Sequence, residues 1–93
     1  MIASFRHTGL KRLYDTGNAK GVRADQVKRI RRILGILDAA TGPEAFAPFP
    51  NLGLHPLKGE LAGFWSVSVS GNWRIVFRFE GEDAADVDLV DYH

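Results

Sequence analysis

Along residues 65–79 apolar and polar side chains alternate with a period of two. Trp65, Val67 and Val69 are interleaved with Ser66, Ser68 and Ser70; Trp73, Ile75, Phe77 and Phe79 then resume the pattern with Arg74 and Arg78 between them. This spacing sends successive side chains to opposite faces of a pleated strand and predicts two half-buried strands. Ser70-Gly71-Asn72 supplies the turn of a hairpin. One face of the hairpin is then aromatic and apolar, and the other carries hydroxyls and guanidinium groups, a surface suited to an anion. Val87 to His93 reads as the last strand, reached through the polar turn Glu80 to Ala84. Met1 to Phe5 reads as a short first strand with Ile2 and Phe5 inward.

Two other stretches follow a helical period. Leu10, Leu13 and Tyr14 fall at i, i+3 and i+4, predicting a helix from His7 or Thr8 to Thr16, with Gly17 where a left-handed residue ends it. Val27, Ile30, Ile33, Leu34 and Leu37 make one apolar stripe, predicting a second helix from Asp25 to Ala40 that Thr41-Gly42-Pro43 terminates. Asn18 to Val22 is a connector. Gly42 to Gly53 is a Pro-rich loop whose Phe46 and Phe49 are expected to dock on the core. Two helices followed by strands predict a single α+β domain over 1–93, with the helices on one face of an antiparallel sheet.

Composition changes this picture little. A chain of 93 residues buries a modest core. It contains no cysteine, so neither a disulfide nor a thiolate metal site reinforces it, which fits a reducing cytoplasm. The first residues lack the apolar run of a signal peptide, and nothing approaches the roughly 18 apolar residues of a membrane span. Charge is more informative. Residues 1–40 hold nine Lys/Arg against three Asp, and residues 41–93 hold three against eight acids, although the total is only +1. Such a split suits either a polyanion partner or a solvated helix face.

Candidate chemistry lies in His55, Lys58, Arg74 and the run Asp91-Tyr92-His93. Pro56 imposes an extended conformation on His55, and Gly59 leaves Lys58 beside a turn. Each taken singly has an ordinary structural explanation. Brought together on one sheet face, two cations could stabilise a pentacovalent phosphorane, a histidine could move a proton, and Tyr92 could stack on a base.

The strings His55-Pro-Leu-Lys-Gly, Gly63-Phe-Trp-Ser-Val, Asn72-Trp-Arg-Ile-Val-Phe and the closing Asp-Tyr-His93 together resemble the HigB toxins. These are the host-inhibition branch of the RelE/ParE superfamily, also called plasmid-maintenance killer proteins. The resemblance spans essentially the whole chain and is weakest over 43–50. It implies the RelE-like microbial RNase fold, two N-terminal helices packed on a twisted antiparallel sheet with the active site on its concave face. It implies a ribosome-dependent mRNA endonuclease that needs no metal or other cofactor and uses the neighbouring 2′-hydroxyl as nucleophile. Its implied partners are a HigA-like antitoxin with a helix-turn-helix, the ribosomal A site and mRNA, with operator DNA reached only through the antitoxin and no membrane.

Carried over, the family site falls on His55, Lys58, Arg74, Asp91, Tyr92 and His93. Lys58 and Arg74 are expected to meet phosphate charge, His93 to transfer a proton, Tyr92 to position the nucleotide, and Asp91 and His55 to orient partners or share the proton transfer. With the resemblance in hand, Arg23, Lys28, Arg29, Arg31 and Arg32 read as contacts to ribosomal RNA, and Arg78 as a further nucleic-acid contact. Three other readings stay open at this point: a ParE-like toxin that poisons gyrase without cutting RNA, a metal-dependent hydrolase using His55, Asp91 and His93 with Asp88, and a non-catalytic binder.

Overall fold

The computed structural model describes residues 1–92; His93 lies outside the described residues. The first helix, α1, runs Thr8–Thr16, as the i, i+3, i+4 spacing predicts. His7 caps it, its Nδ1 accepting from the Leu10 amide at 3.1 Å, and Gly17 ends it in the left-handed region (φ 77) with its N–H on the Leu13 carbonyl. The second helix, α2, spans Val27–Ala39 and is preceded by a 3₁₀ turn at Ala24–Gln26, so the predicted start at Asp25 falls in the tighter turn. Its stripe of Ile30, Ile33, Leu34 and Leu37 is buried. Tyr14 of α1 donates to the Asp38 carboxylate of α2; that bond holds the phenol's proton and raises its pKa above the usual value.

Both helices lie on one face of a four-stranded antiparallel sheet in the order β1 (His55–Pro56), β2 (Trp65–Ser70), β3 (Trp73–Glu80), β4 (Asp83–Asp91). Core side chains alternate along it as the hairpin pattern requires, with Val67, Ile75, Phe77 and Val87 fully buried. The Pro-rich loop is ordered: Phe46 is buried and stacks on Phe77 at 5.6 Å between centroids. Phe49 lies under the Arg32 guanidinium.

Two expectations are corrected. The final strand begins at Asp83, because Gly81 (φ 61) lets the chain reverse at once after Glu80. Met1 to Phe5 forms no strand but two isolated parallel bridges, Ile2 to Ala84 and Phe5 to Val87. The interruption lies in β4, which carries an extra residue between the pairs Val76–Asp88 and Arg78–Ala85. Asp86 sits there at φ 51, and its amide turns aside to the Ser4 hydroxyl. A second bulge lies in β2 between Ser68 and Ser70.

Candidate active site on the outward face of the sheet

The face turned away from the helices is set by register. His55, Ser66, Val76 and Asp88 form one row across the four strands, and Ser68, Arg74 and Val90 form the next. Tyr92, two residues past Val90, continues that parity, its amide bonded to the Asn72 carbonyl at 2.9 Å. The Phe64, Arg78 and Asp86 end of this face is closed. Arg6 lies over the Phe64 ring at 5.4 Å and 3.8 Å from the Asp86 carboxylate, which accepts from Arg78 at 2.7 Å. Ser66, Val76 and Ala85 are buried although they belong to the outward face. The open part is therefore the half that carries His55, Ser68, Arg74, Asp88 and Tyr92.

Arg74 is held by one nitrogen. Its Nη1 donates to the Gly71 carbonyl at 2.8 Å and the Trp73 carbonyl at 3.0 Å, and touches the Ser68 hydroxyl at 3.5 Å. Its Nε and Nη2 edge makes no bond among the described residues, which leaves the paired donors that fit a phosphate or carboxylate. His55 is exposed, with Nδ1 3.2 Å from the Gly53 carbonyl, which leaves Nε2 without a bond among the described residues. Two strand spacings and two residues along the strand separate the His55 and Arg74 backbones, about 12 Å, a gap that two long side chains and a nucleotide can span. Tyr92 is 40% exposed.

Lys58 and Asp91 are placed differently. Lys58 is exposed in the loop beyond β1, just before the 3₁₀ turn Gly59–Leu61, and makes no bond among the described residues. That loop leaves the sheet at the end opposite the Gly71-Asn72 turn, since the Leu57 amide bonds the Phe64 carbonyl. Asp91 pairs with Trp73 and shares the parity of Leu89, so the backbone turns it toward the helix side while Tyr92 turns outward. His93 lies outside the described residues.

Sequence reasoning left Ser68 out of the site and took Asp88 only as a metal ligand. Both stand on the open half: Ser68 faces Arg74 across the ladder, and Asp88 is one pair away from Arg74 diagonally. Asp88 Oδ1 accepts from the Leu89 amide. Their shared parity with Arg74 and Tyr92 is the signal in the sequence that could have found them. Among the described residues no three His, Asp or Glu gather into a group able to hold a metal.

A family model described as the RelE-like toxin of type II toxin-antitoxin system HigB matches residues 3–93. The chain belongs to the HigB-like toxin family. A relative from Proteus vulgaris named Endoribonuclease HigB is 44% identical over 95 aligned residues that cover all of both chains. Among solved structures, a YoeB/ParE toxin from Agrobacterium tumefaciens aligns over 100% of this chain and 99% of its own, at 21% identity and a TM-score of 0.56. That likeness is one of fold.

The HigB-like toxin's basic residues are mostly engaged within the molecule. Arg23 pairs with Asp25, Arg31 donates to the Gly17 carbonyl at 3.0 Å, and Arg32 covers Phe49 at 5.1 Å. Arg29 Nε donates to the Ser68 carbonyl at 3.2 Å, with Nη2 near the Asn51 carbonyl. Arg78 is tied to Asp86 and Glu80, and the bond to Asp86 raises its pKa. Of the six basic residues read as nucleic-acid contacts, Lys28 alone makes no hydrogen bond, ion pair or ring contact among the described residues. It lines a shallow groove of about 320 Å³ with Asp25, Arg29 and Arg32.

Proposed function

We propose that this protein is the toxin of a type II toxin–antitoxin pair and cuts mRNA in the ribosomal A site. Family membership and the Proteus relative support an endoribonuclease. One structural observation supports the outward face as the cutting site: Arg74 is anchored by Nη1 with its other donor edge open, beside outward-facing Tyr92 and on the face of His55. In this reading the ribose 2′-oxygen attacks the adjacent phosphorus, the P–O5′ bond breaks, and a 2′,3′-cyclic phosphate and a 5′-hydroxyl result. Arg74 and Lys58 meet the charge on the phosphorane oxygens, and His93 and His55 exchange the protons of the 2′- and 5′-oxygens. Tyr92 stacks on the nucleotide, and Asp91 orients its neighbours.

The site carries few groups, so the ribosome supplies the alignment of the substrate. The toxin acts in the cytoplasm, restrained by a HigA-like antitoxin that alone contacts operator DNA. Primer extension with purified protein tests the reading: cleavage appears with ribosomes present and falls sharply on free RNA. A 2′-deoxy nucleotide on the 5′ side of the cut abolishes it. Continued cutting of the deoxy substrate rules out 2′-hydroxyl attack, and equal cutting of free RNA rules out the ribosome's part.

A further inference from the structure

We propose that the 3₁₀ turn leading into α2, together with the first turn of α2, is a two-point clamp on the bulged end of β2, so that Gln26 and Arg29 act as positioning residues that aim Arg74. The inference rests on Arg74 belonging to the cutting site, as read above. β1 pairs with β2 only at Trp65 and Ser66, leaving the β2 edge from Val67 to Ser70 without a neighbouring strand on that side among the described residues. The bulge between Ser68 and Ser70 falls on this unsupported stretch. An open, irregular edge is the least rigid part of a sheet, yet Arg74 takes its Ser68 contact there and one of its carbonyl partners, Gly71, from the adjoining turn.

The 3₁₀ turn before α2 and the first turn of α2 grip the two sides of the bulge. Gln26, 1% exposed, donates Nε2 to the Ser70 hydroxyl at 3.0 Å. Arg29, three residues on in the first turn of α2, donates Nε to the Ser68 carbonyl at 3.2 Å and reaches the Asn51 carbonyl of the Pro-rich loop. The planar guanidinium bonds an edge carbonyl that β1 leaves unpaired and links it to a second segment, which a point-charge ammonium cannot reproduce. The path from helix to site is short: Arg29 to the Ser68 backbone, then the Ser68 hydroxyl to Arg74. A buried glutamine has no access to RNA, so the clamp makes a prediction that charge does not.

The test compares Gln26→Met, Arg29→Lys and Arg29→Ala in ribosome-dependent cleavage, with circular dichroism, melting temperature and the Arg74 Nε–Hε NMR signal for each. Gln26→Met and Arg29→Lys are expected to stay folded and lower the saturated cleavage rate by up to about 100-fold, as a displacement of about 1 Å does. The half-saturating ribosome concentration and its salt dependence stay as in the wild type, and the Arg74 signal shifts or broadens. The clamp is overturned if Gln26→Met cuts at the wild-type saturated rate. It is equally overturned if Arg29→Lys keeps full rate while Arg29→Ala loses affinity with a shallower salt dependence, or if rates fall only in proportion to folded protein. Should Arg29→Ala not fold, the other two variants decide. Wild-type cutting by Arg74→Ala defeats the site itself; a dead Arg74→Ala beside fully active Gln26→Met and Arg29→Lys defeats the clamp alone.

Discussion

On the proposed reading Arg74 carries most of the chemistry of the outward face, because it combines a guanidinium charge with a fixed origin. The Gly71 carbonyl of the turn and the Trp73 carbonyl at the start of β3 hold Nη1, so the remaining donors point from a defined place without freezing the whole side chain. Arg74→Lys keeps the charge and loses the fork. Its expected effect is a fall in saturated cleavage rate of about 10²- to 10³-fold, the range for removing one donor to transition-state charge. The melting temperature shifts only by what two turn hydrogen bonds contribute, about 1 kcal/mol each. Single-turnover cleavage beside thermal melts checks both. A lysine variant that cuts at the wild-type rate would reduce Arg74 to a turn brace.

Among the elements, the bulge in β4 decides how the sheet is divided. One extra residue at Asp86 restores inward parity for Val87 after Ala84 and swings a carboxylate between Arg6 and Arg78. The hydrogen bond from Arg78 is the main reason that the Asp86 carboxyl is held below its usual pKa, with the charges of Arg78 and Arg6 adding to it and partial desolvation opposing. A carboxyl whose folded pKa is depressed adds stability above its unfolded pKa, and that stability is lost as pH falls through the folded value. Asp86→Asn, which tolerates a positive φ, is therefore expected to be less stable than wild type near neutral pH, with the gap closing below about pH 4. Urea denaturation across that range measures it. A gap of constant size would show that the ion pairs add nothing, and that the cost lies in the backbone.

Across the whole molecule, charge is split by sequence and then sorted again by contact. Arg23, Arg29, Arg31, Arg32 and Arg78 are committed to acids, carbonyls or a ring, whereas the side chains of Arg12, Lys20 and Lys28 make no bond among the described residues. Substituting glutamine at Arg12, Lys20 and Lys28 is expected to leave the melting temperature nearly unchanged. Ribosome association weakens, and the slope of log affinity against log salt becomes shallower by about 0.7–0.9 for each phosphate no longer neutralised. Association measured at several salt concentrations checks this. An unchanged slope would move the electrostatic interaction to another surface.

The sequence by itself determined α1 and its ends, the stripe and body of α2, the docking phenylalanine Phe46, the hairpin and its turn, and the fold class. Each of these follows from a local period or from turn chemistry, which a few neighbouring residues carry. It also named His55, Arg74 and Tyr92, which register then brought to one face. Only the tertiary structure decided where β4 bulges, that Arg6, Arg78 and Asp86 close one end of the outward face, and that Arg29 and Arg31 are taken up by backbone carbonyls. The partners that settle these points are remote: Gly17 lies 14 residues from Arg31, Ser68 lies 39 from Arg29, and Ser4 lies 82 from Asp86. A period reports which way a side chain faces, whereas an arginine's partner depends on which distant carbonyl the fold leaves unpaired within its reach.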